Sequence, residues 1–216
     1  MSIKVYYSHT PFWRAEVLRV SLFVGKVEFE DVRISRDEFI YLIKTGLLPN
    51  GKKVPFNQLP VIEVNGQIIG QTGGIARYCG KLSNLYPDDN MHAAKVDQII
   101  DSATEITNLI SPTIREKDVV KKNEARKQLT NKLLPRWFQY LENILEEEKS
   151  EWFVNNEMTI ADIAIWRLLG WITSGMLDGI PKDIANNFPK LQNVYIKVHQ
   201  HPKINEWMLK TYGKTI

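Results

Sequence analysis

Four hydroxyl side chains stand close together near the start of the chain: Tyr6, Tyr7, Ser8 and Thr10. A hydroxyl donates one hydrogen bond to an anion while carrying no charge of its own. The group begins within the extended branched and aromatic run Ile3-Lys4-Val5-Tyr6-Tyr7, where successive side chains face opposite ways. One of Tyr6 and Tyr7 is therefore mainly a packing residue. Gln71-Thr72 opens a helical stretch. Free N–H groups at a helix start favour an anion, although a plain cap by Thr72 explains the same residues. Asp97, Asp101 and Glu105 recur at every fourth position of a long helical pattern. Like charges at that spacing cost roughly a few tenths of a kcal/mol per pair; a cationic partner would offset this, and an ordinary solvated acidic stripe is the plainer reading. The single cysteine, Cys79, sits well inside a helix and reads as a buried, inert thiol. His9, His92, His199 and His201 form no metal-ligand pair with a carboxylate, so no metal is expected.

The elements that must position these residues change character midway. The strand at Ile3–Tyr7 precedes Thr10-Pro11, where Pro11 could open a helix. Helical spacing runs from Trp13 to Val24, and Val27 to Val32 alternates as a strand. Asp37 to Ile43 is a short helical candidate. Two apolar runs, Leu59–Val64 and Gln67–Gly70, flank Asn65-Gly66, a strong hairpin signal. A helix follows from Thr72 to Leu82. The order βαβαββα implies a parallel first pair with a right-handed crossover and an antiparallel hairpin. Beyond Tyr86-Pro87-Asp88 strand signals nearly vanish. Helical faces run from Val96 to Ile110 and from Leu134 to Leu145, with a break expected near Pro135. Thr159-Ile160-Ala161-Asp162 is a capping-box pattern ahead of an apolar helix. Two last helices follow. The expected fold class is α+β: a small mixed domain over 1–83 and an all-helical domain over 84–216.

Composition narrows the function classes. Hydrophobic residues make up 44% and charged residues 25% of 216, a globular balance that excludes disorder. The net charge is +3, from 28 Lys+Arg against 25 Asp+Glu, too even for an expected nucleic-acid partner. The longest apolar region, Ile160–Leu177, contains Asp162 and Arg167, so no membrane span is expected. One cysteine and no apolar leader point to a cytoplasmic protein.

The element order, with its residues, resembles the cytosolic glutathione transferases, whose first domain is thioredoxin-like. Phe56-Asn57-Gln58-Leu59-Pro60-Val61-Ile62-Glu63-Val64-Asn65-Gly66 is similar to the family's loop, cis-proline and hairpin. Gln71-Thr72 with Ile75-Ala76-Arg77-Tyr78 resembles its Gln-Ser/Thr helix start. Arg14-Ala15-Glu16 and Phe29-Glu30-Asp31-Val32-Arg33 resemble the sigma branch most, with mu and alpha features. Thr159–Asp162 matches the capping box of the helical domain. Together the matches span essentially the whole chain.

The resemblance implies attack of the glutathione thiol on a small hydrophobic electrophile. A free thiol has a pKa of about 8.5, and the thiolate is the nucleophile. Tyr7 is the expected donor to the sulfur. Tyr6, Ser8 and Thr10 remain alternatives, because the turn to Arg14 is longer than in the sigma, mu and alpha branches and Thr10-Pro11-Phe12 resembles the serine branches. The resemblance implies that Gln58, Leu59 and a cis Pro60 hold the cysteinyl part of glutathione. Gln71 and Thr72 would hold the γ-glutamyl carboxylate, and Lys53 the glycyl carboxylate. It further implies a homodimer in which Glu105 reaches the γ-glutamyl ammonium across the two-fold axis, with Asp101 in reserve. Phe12, Trp13, Thr104 and Asn108 are the expected lining of the electrophile pocket. Two other functions stay open at this point: a non-catalytic binding or structural protein on the same fold, and a glutathione-dependent isomerase.

Overall fold

The computed structural model describes residues 1–213. The first half is a four-stranded sheet in the order β2-β1-β3-β4, formed by β1 (Ile3–Tyr7), β2 (Glu30–Arg33), β3 (Val61–Val64) and β4 (Gln67–Gly70). β1 pairs parallel with β2 and antiparallel with β3, and the hairpin runs antiparallel over Val61–Gly70. This thioredoxin-like arrangement meets the βαβαββα expectation. The second strand is shorter than its alternation suggested, starting at Glu30 rather than Val27.

The alternation of β1 sorts its side chains between two cores. Ile3 and Val5 join the main core with Leu18, Ile75 and the helical half. Tyr6 joins a smaller one with Ile34, Leu42, Leu48, Val54 and Val61. Helix α1 (Glu16–Val24) and α3 (Thr72–Leu82) cover the first face; α2 (Arg36–Thr45) supplies Leu42 to the second. A capping box starts α2: the Ser35 N–H donates to Glu38 Oε2 at 2.7 Å, and the Glu38 N–H donates to Ser35 Oγ at 3.3 Å. Each bond satisfies a donor with no partner inside the helix.

Pro11 does not open α1. Residues 10–15 instead form a turn, with Phe12 at φ 58 and the helix starting at Glu16. A left-handed residue cannot continue into a helical turn.

The second half is helical: α4 (Asn90–Arg115), α5 (Val119–Gln128), a π-helical turn (Leu129–Leu133), α6 (Leu134–Glu148), α7 (Ile160–Thr173), α8 (Pro189–Gln200) and α9 (Pro202–Tyr212). Pro135 lies in the first turn of α6, directly after the π-turn, where a missing N–H is tolerated. α7 is buried on every side from Ile160 to Ile172 and forms the axis of this half. Its capping box is present: Asp162 accepts from the Thr159 N–H at 2.7 Å, the Thr159 hydroxyl at 2.9 Å and the Phe153 N–H at 3.0 Å.

An aromatic contact and a buried carboxylate are among the links between the two halves. Phe12, 1% exposed, packs edge-on to Trp166 of α7 with ring centroids 4.9 Å apart. Gly170 makes room for it: a Cβ there would meet the Phe12 ring at 2.2 Å. On the far side of α1, the buried Glu16 carboxylate accepts from Trp207 Nε1 at 2.5 Å and from the Tyr212 hydroxyl at 2.6 Å, both on α9.

Candidate active site

A cleft of about 390 Å³ opens between the two halves. One wall is the end of β1, the loop into β3 and the start of α3. The other is α4 and α7. Tyr7, Gln58, Leu59, Pro60, Gln71 and Thr72 meet on the first wall; Thr104 and Asn108 stand on the second, and Trp13 lines the cleft from the turn after β1. These nine residues come from both halves of the sequence reading and share one space.

Tyr7 is the last residue of β1 and pairs with Arg33 of β2. Its ring meets Trp13 edge-on, with centroids 6.4 Å apart. Burial raises its phenol pKa, against the nearby positive charges of Arg14, Arg167 and Arg19 and the Arg14 backbone N–H. The hydroxyl therefore keeps its proton at neutral pH and is available as a donor.

Tyr6 faces the other side of the sheet. Its hydroxyl donates to Glu63 Oε2 at 2.9 Å and accepts from Asn50 Nδ2 at 3.1 Å. Glu63 is also paired with Lys52 at 2.6 Å. Ser8 and Thr10 are not among the residues that face the cleft.

The Leu59–Pro60 peptide bond is cis. Gln71, just ahead of α3, has φ 70, an uncommon conformation for a residue with a Cβ. Such strain gathers at functional sites. Here it directs Gln71 and Thr72 together onto the cleft, at the start of a helix whose first N–H groups favour an anion.

Three expected residues lie elsewhere. Phe12 is core, not lining, because its left-handed turn drives the ring onto Gly170 and Trp166. Lys53 is exposed and away from the cleft, beside Lys52, Pro55, Gly66 and Ile68; its neighbour Val54 is buried, so the extended backbone turns Lys53 outward. Glu105 is exposed on α4 outside the cleft. The acidic stripe is partly satisfied within the chain: Arg77 pairs with Asp97 and with Asp101, each at 2.7 Å. Glu105 forms no ion pair among the described residues.

Sequence reasoning missed several lining residues: Arg14, Phe39, Phe56, Thr107, Ser111, Ile114, Arg115, Arg167 and Trp171. Part of the signal was present. Thr104, Thr107, Asn108, Ser111 and Arg115 recur at helical spacing, a polar stripe beside the apolar face of α4. Arg14 donates to Asn108 Oδ1 and to Ser111 Oγ, each at 3.2 Å, which fixes the turn against α4. Arg167 is buried on α7, and its Nη2 donates to Thr107 Oγ1 at 3.2 Å. Burial, with Arg14 nearby, lowers its pKa to about 9, so it stays cationic at neutral pH. Cys79 is buried away from the cleft, and burial pushes its thiol up to about 12. Among the described residues no cluster of His, Cys, Asp and Glu is arranged to hold a metal ion, and no helix is long and apolar enough to cross a membrane.

Comparisons with known proteins agree with this architecture. Residues 2–81 match the model of the glutathione S-transferase N-terminal domain, and residues 104–211 match that of the C-terminal domain. S-crystallin SL11 of Nototodarus sloanii is 30% identical over 203 residues, 91% of each chain. A glutathione S-transferase of Anopheles gambiae is 28% identical, covering 96% of this chain and 95% of its own. The structure of prostaglandin synthase D of Nilaparvata lugens superposes with a TM-score of 0.84 at 26% identity, over 97% of this chain and 98% of that one. Monomeric Na-GST-3, a glutathione S-transferase of Necator americanus, superposes with a TM-score of 0.76 at 26% identity, over 97% of both chains. By its two domain matches, its full-length relatives and its fold, the chain belongs to the glutathione S-transferase family.

Proposed function

We propose that the cleft binds glutathione and activates its thiol for attack on a hydrophobic electrophile, with Tyr7 as the donor to the sulfur. The observation that carries this reading is the meeting of Tyr7, Leu59 and the Gln71-Thr72 helix start in one cleft. The domain over 1–83 supplies the glutathione wall, and the helical domain, with Trp13, supplies the electrophile side. Gln71 and Thr72 hold the γ-glutamyl carboxylate; Gln58, Leu59 and Pro60 hold the cysteinyl part. Trp13, Thr104 and Asn108 border the electrophile. The hydrogen bond from Tyr7 favours the thiolate and lowers the thiol pKa. The thiolate then forms the sulfur–carbon bond as the electrophile's leaving group departs with its electron pair, and the thiol proton passes to solvent.

The same proposal includes a two-fold dimer, in which Glu105 of the partner subunit reaches the γ-glutamyl ammonium, and a cytoplasmic, detoxifying role. The free, buried Cys79 supports a reducing compartment. The exposed, unpaired position of Glu105 supports a role outside its own chain. Relatives named S-crystallin and hematopoietic prostaglandin D synthase match at levels close to those named glutathione S-transferase, so neither a structural protein nor an isomerase is favoured over the transferase.

The test is steady-state conjugation of glutathione to an activated aryl halide, following thiol loss and adduct together. Equal rates of both support the transferase. No adduct here, with rearrangement of an isomerisable substrate at constant total thiol in a parallel assay, would favour the isomerase, and no turnover in either assay the binding protein. A sedimentation mass of one subunit at micromolar concentration would remove the dimer.

A further inference from the structure

We propose that the electrophile side of the cleft is built for an amphipathic carboxylate, whose anionic group docks on Arg167. This rests on the glutathione reading of the same cleft and adds the class of the second substrate.

One charge in the cleft has no counter-ion among the described residues. Arg167 is 4% exposed, yet no salt bridge reaches it among the described residues. Its Nη2 has one neutral acceptor, Thr107 Oγ1, and its Nε has none. A buried guanidinium ordinarily comes with a carboxylate, because removal from water is costly without one. Here the nearest influential charge is a second cation, Arg14. Arg14 itself is held only by the neutral acceptors Asn108 and Ser111.

The cleft extends this imbalance. Arg115 stands on the same wall, and among the described residues no Asp or Glu lines the space. The indole N–H of Trp13, also a lining residue, is buried without an acceptor. Unmatched donors and positive charge thus gather on α4, α7 and the turn that Arg14 fixes against α4, away from the α3 start that suits the γ-glutamyl carboxylate. Their complement is a ligand group that only accepts and carries negative charge, which a carboxylate supplies to a guanidinium in planar, two-point geometry. Trp13, Trp171 and Ile114 give the apolar surface that binds the rest of such a molecule.

The test compares 4-phenylbutanoate with 4-phenylbutanamide by calorimetry on the full chain at pH 7, with glutathione saturating. The acid is expected to bind at least tenfold tighter than the amide. In Arg167→Gln, which keeps a hydrogen-bonding group toward Thr107, the two should agree within twofold; Arg167→Met serves if the first variant does not fold. Equal affinities in wild type overturn the proposal without recourse to any variant. So does discrimination that survives in the variant. If the wild-type ligands bind equally and the bound glutathione thiol pKa rises in the variant, the guanidinium serves the sulfur instead. Glutathione is titrated alone first: failure of that titration removes the underlying reading, whereas glutathione binding without acid–amide discrimination removes only this inference.

Discussion

Tyr6 and Tyr7, adjacent on β1, are committed to opposite faces of the sheet: Tyr6 donates to Glu63 at 2.9 Å, and Tyr7 opens on the cleft. The pair divides structure from chemistry between two like side chains. Tyr6→Phe removes the donor to a nearly buried carboxylate and leaves Asn50 without its acceptor. A loss of about 1–2 kcal/mol is expected in urea unfolding, with the pKa of bound glutathione unchanged. A shifted thiol pKa would mean that the two faces are not independent.

Gln71 separates fold from binding in the same way. Its φ of 70 is freely available to glycine. Gln71→Gly should keep stability within about 1 kcal/mol of wild type, the relief of the left-handed backbone balancing added chain entropy. It should weaken glutathione binding roughly tenfold, through loss of one or two hydrogen bonds. Calorimetry beside a thermal melt reads both quantities.

Glu16 clasps the last helix to the first. Its carboxylate is fully buried, accepts from Trp207 and Tyr212, and lies 3.6 Å from Arg19. Glu16→Ala strands two donors and removes one of the two acids around Arg19; Asp31 remains at 2.9 Å. Destabilisation of about 3 kcal/mol is expected. Amides of α9 should also exchange faster, out of proportion to the sheet.

Acid should loosen the helical half through its histidines. His199 Nδ1 accepts from Trp166 Nε1 at 3.3 Å, and burial lowers its pKa below 6.5. Burial lowers His201 likewise. At these two histidines the unfolded chain binds more protons than the folded one, so their contribution to stability is present above about 6.5 and is lost as pH falls; the buried Asp162 carboxyl, raised to about 6, acts in the opposite sense. Between pH 7 and pH 5 the denaturation midpoint of wild type should fall relative to that of His199→Gln, because only wild type loses the neutral imidazole. An identical slope in the variant would place the titration elsewhere.

The sequence was most legible where structure is local. Asn65-Gly66 placed the hairpin, and Thr159–Asp162 placed the start of α7, because turn and cap chemistry act within a few residues. The strand alternation showed that Tyr6 and Tyr7 diverge. Which one faces the cleft depended on Glu63 and Asn50, distant in sequence and near only after the sheet forms. Phe12 was misplaced for the same reason: its left-handed turn is stabilised by space at Gly170, far along the chain. Lys53 was misplaced by an outward turn set by its buried neighbour Val54. Arg167 lay within an apolar helix, where hydropathy conceals a cation, and only the packing of α7 against α4 revealed it as lining.

Tyr7, as the donor to the sulfur, should stabilise the thiolate of bound glutathione. An ultraviolet difference titration of that thiolate against pH, wild type beside Tyr7→Phe, tests it most directly. The account expects a wild-type thiol pKa about two units below the free value of roughly 8.5, worth about 2.7 kcal/mol, and a return toward 8.5 in the variant. An equally depressed pKa in both proteins would contradict it.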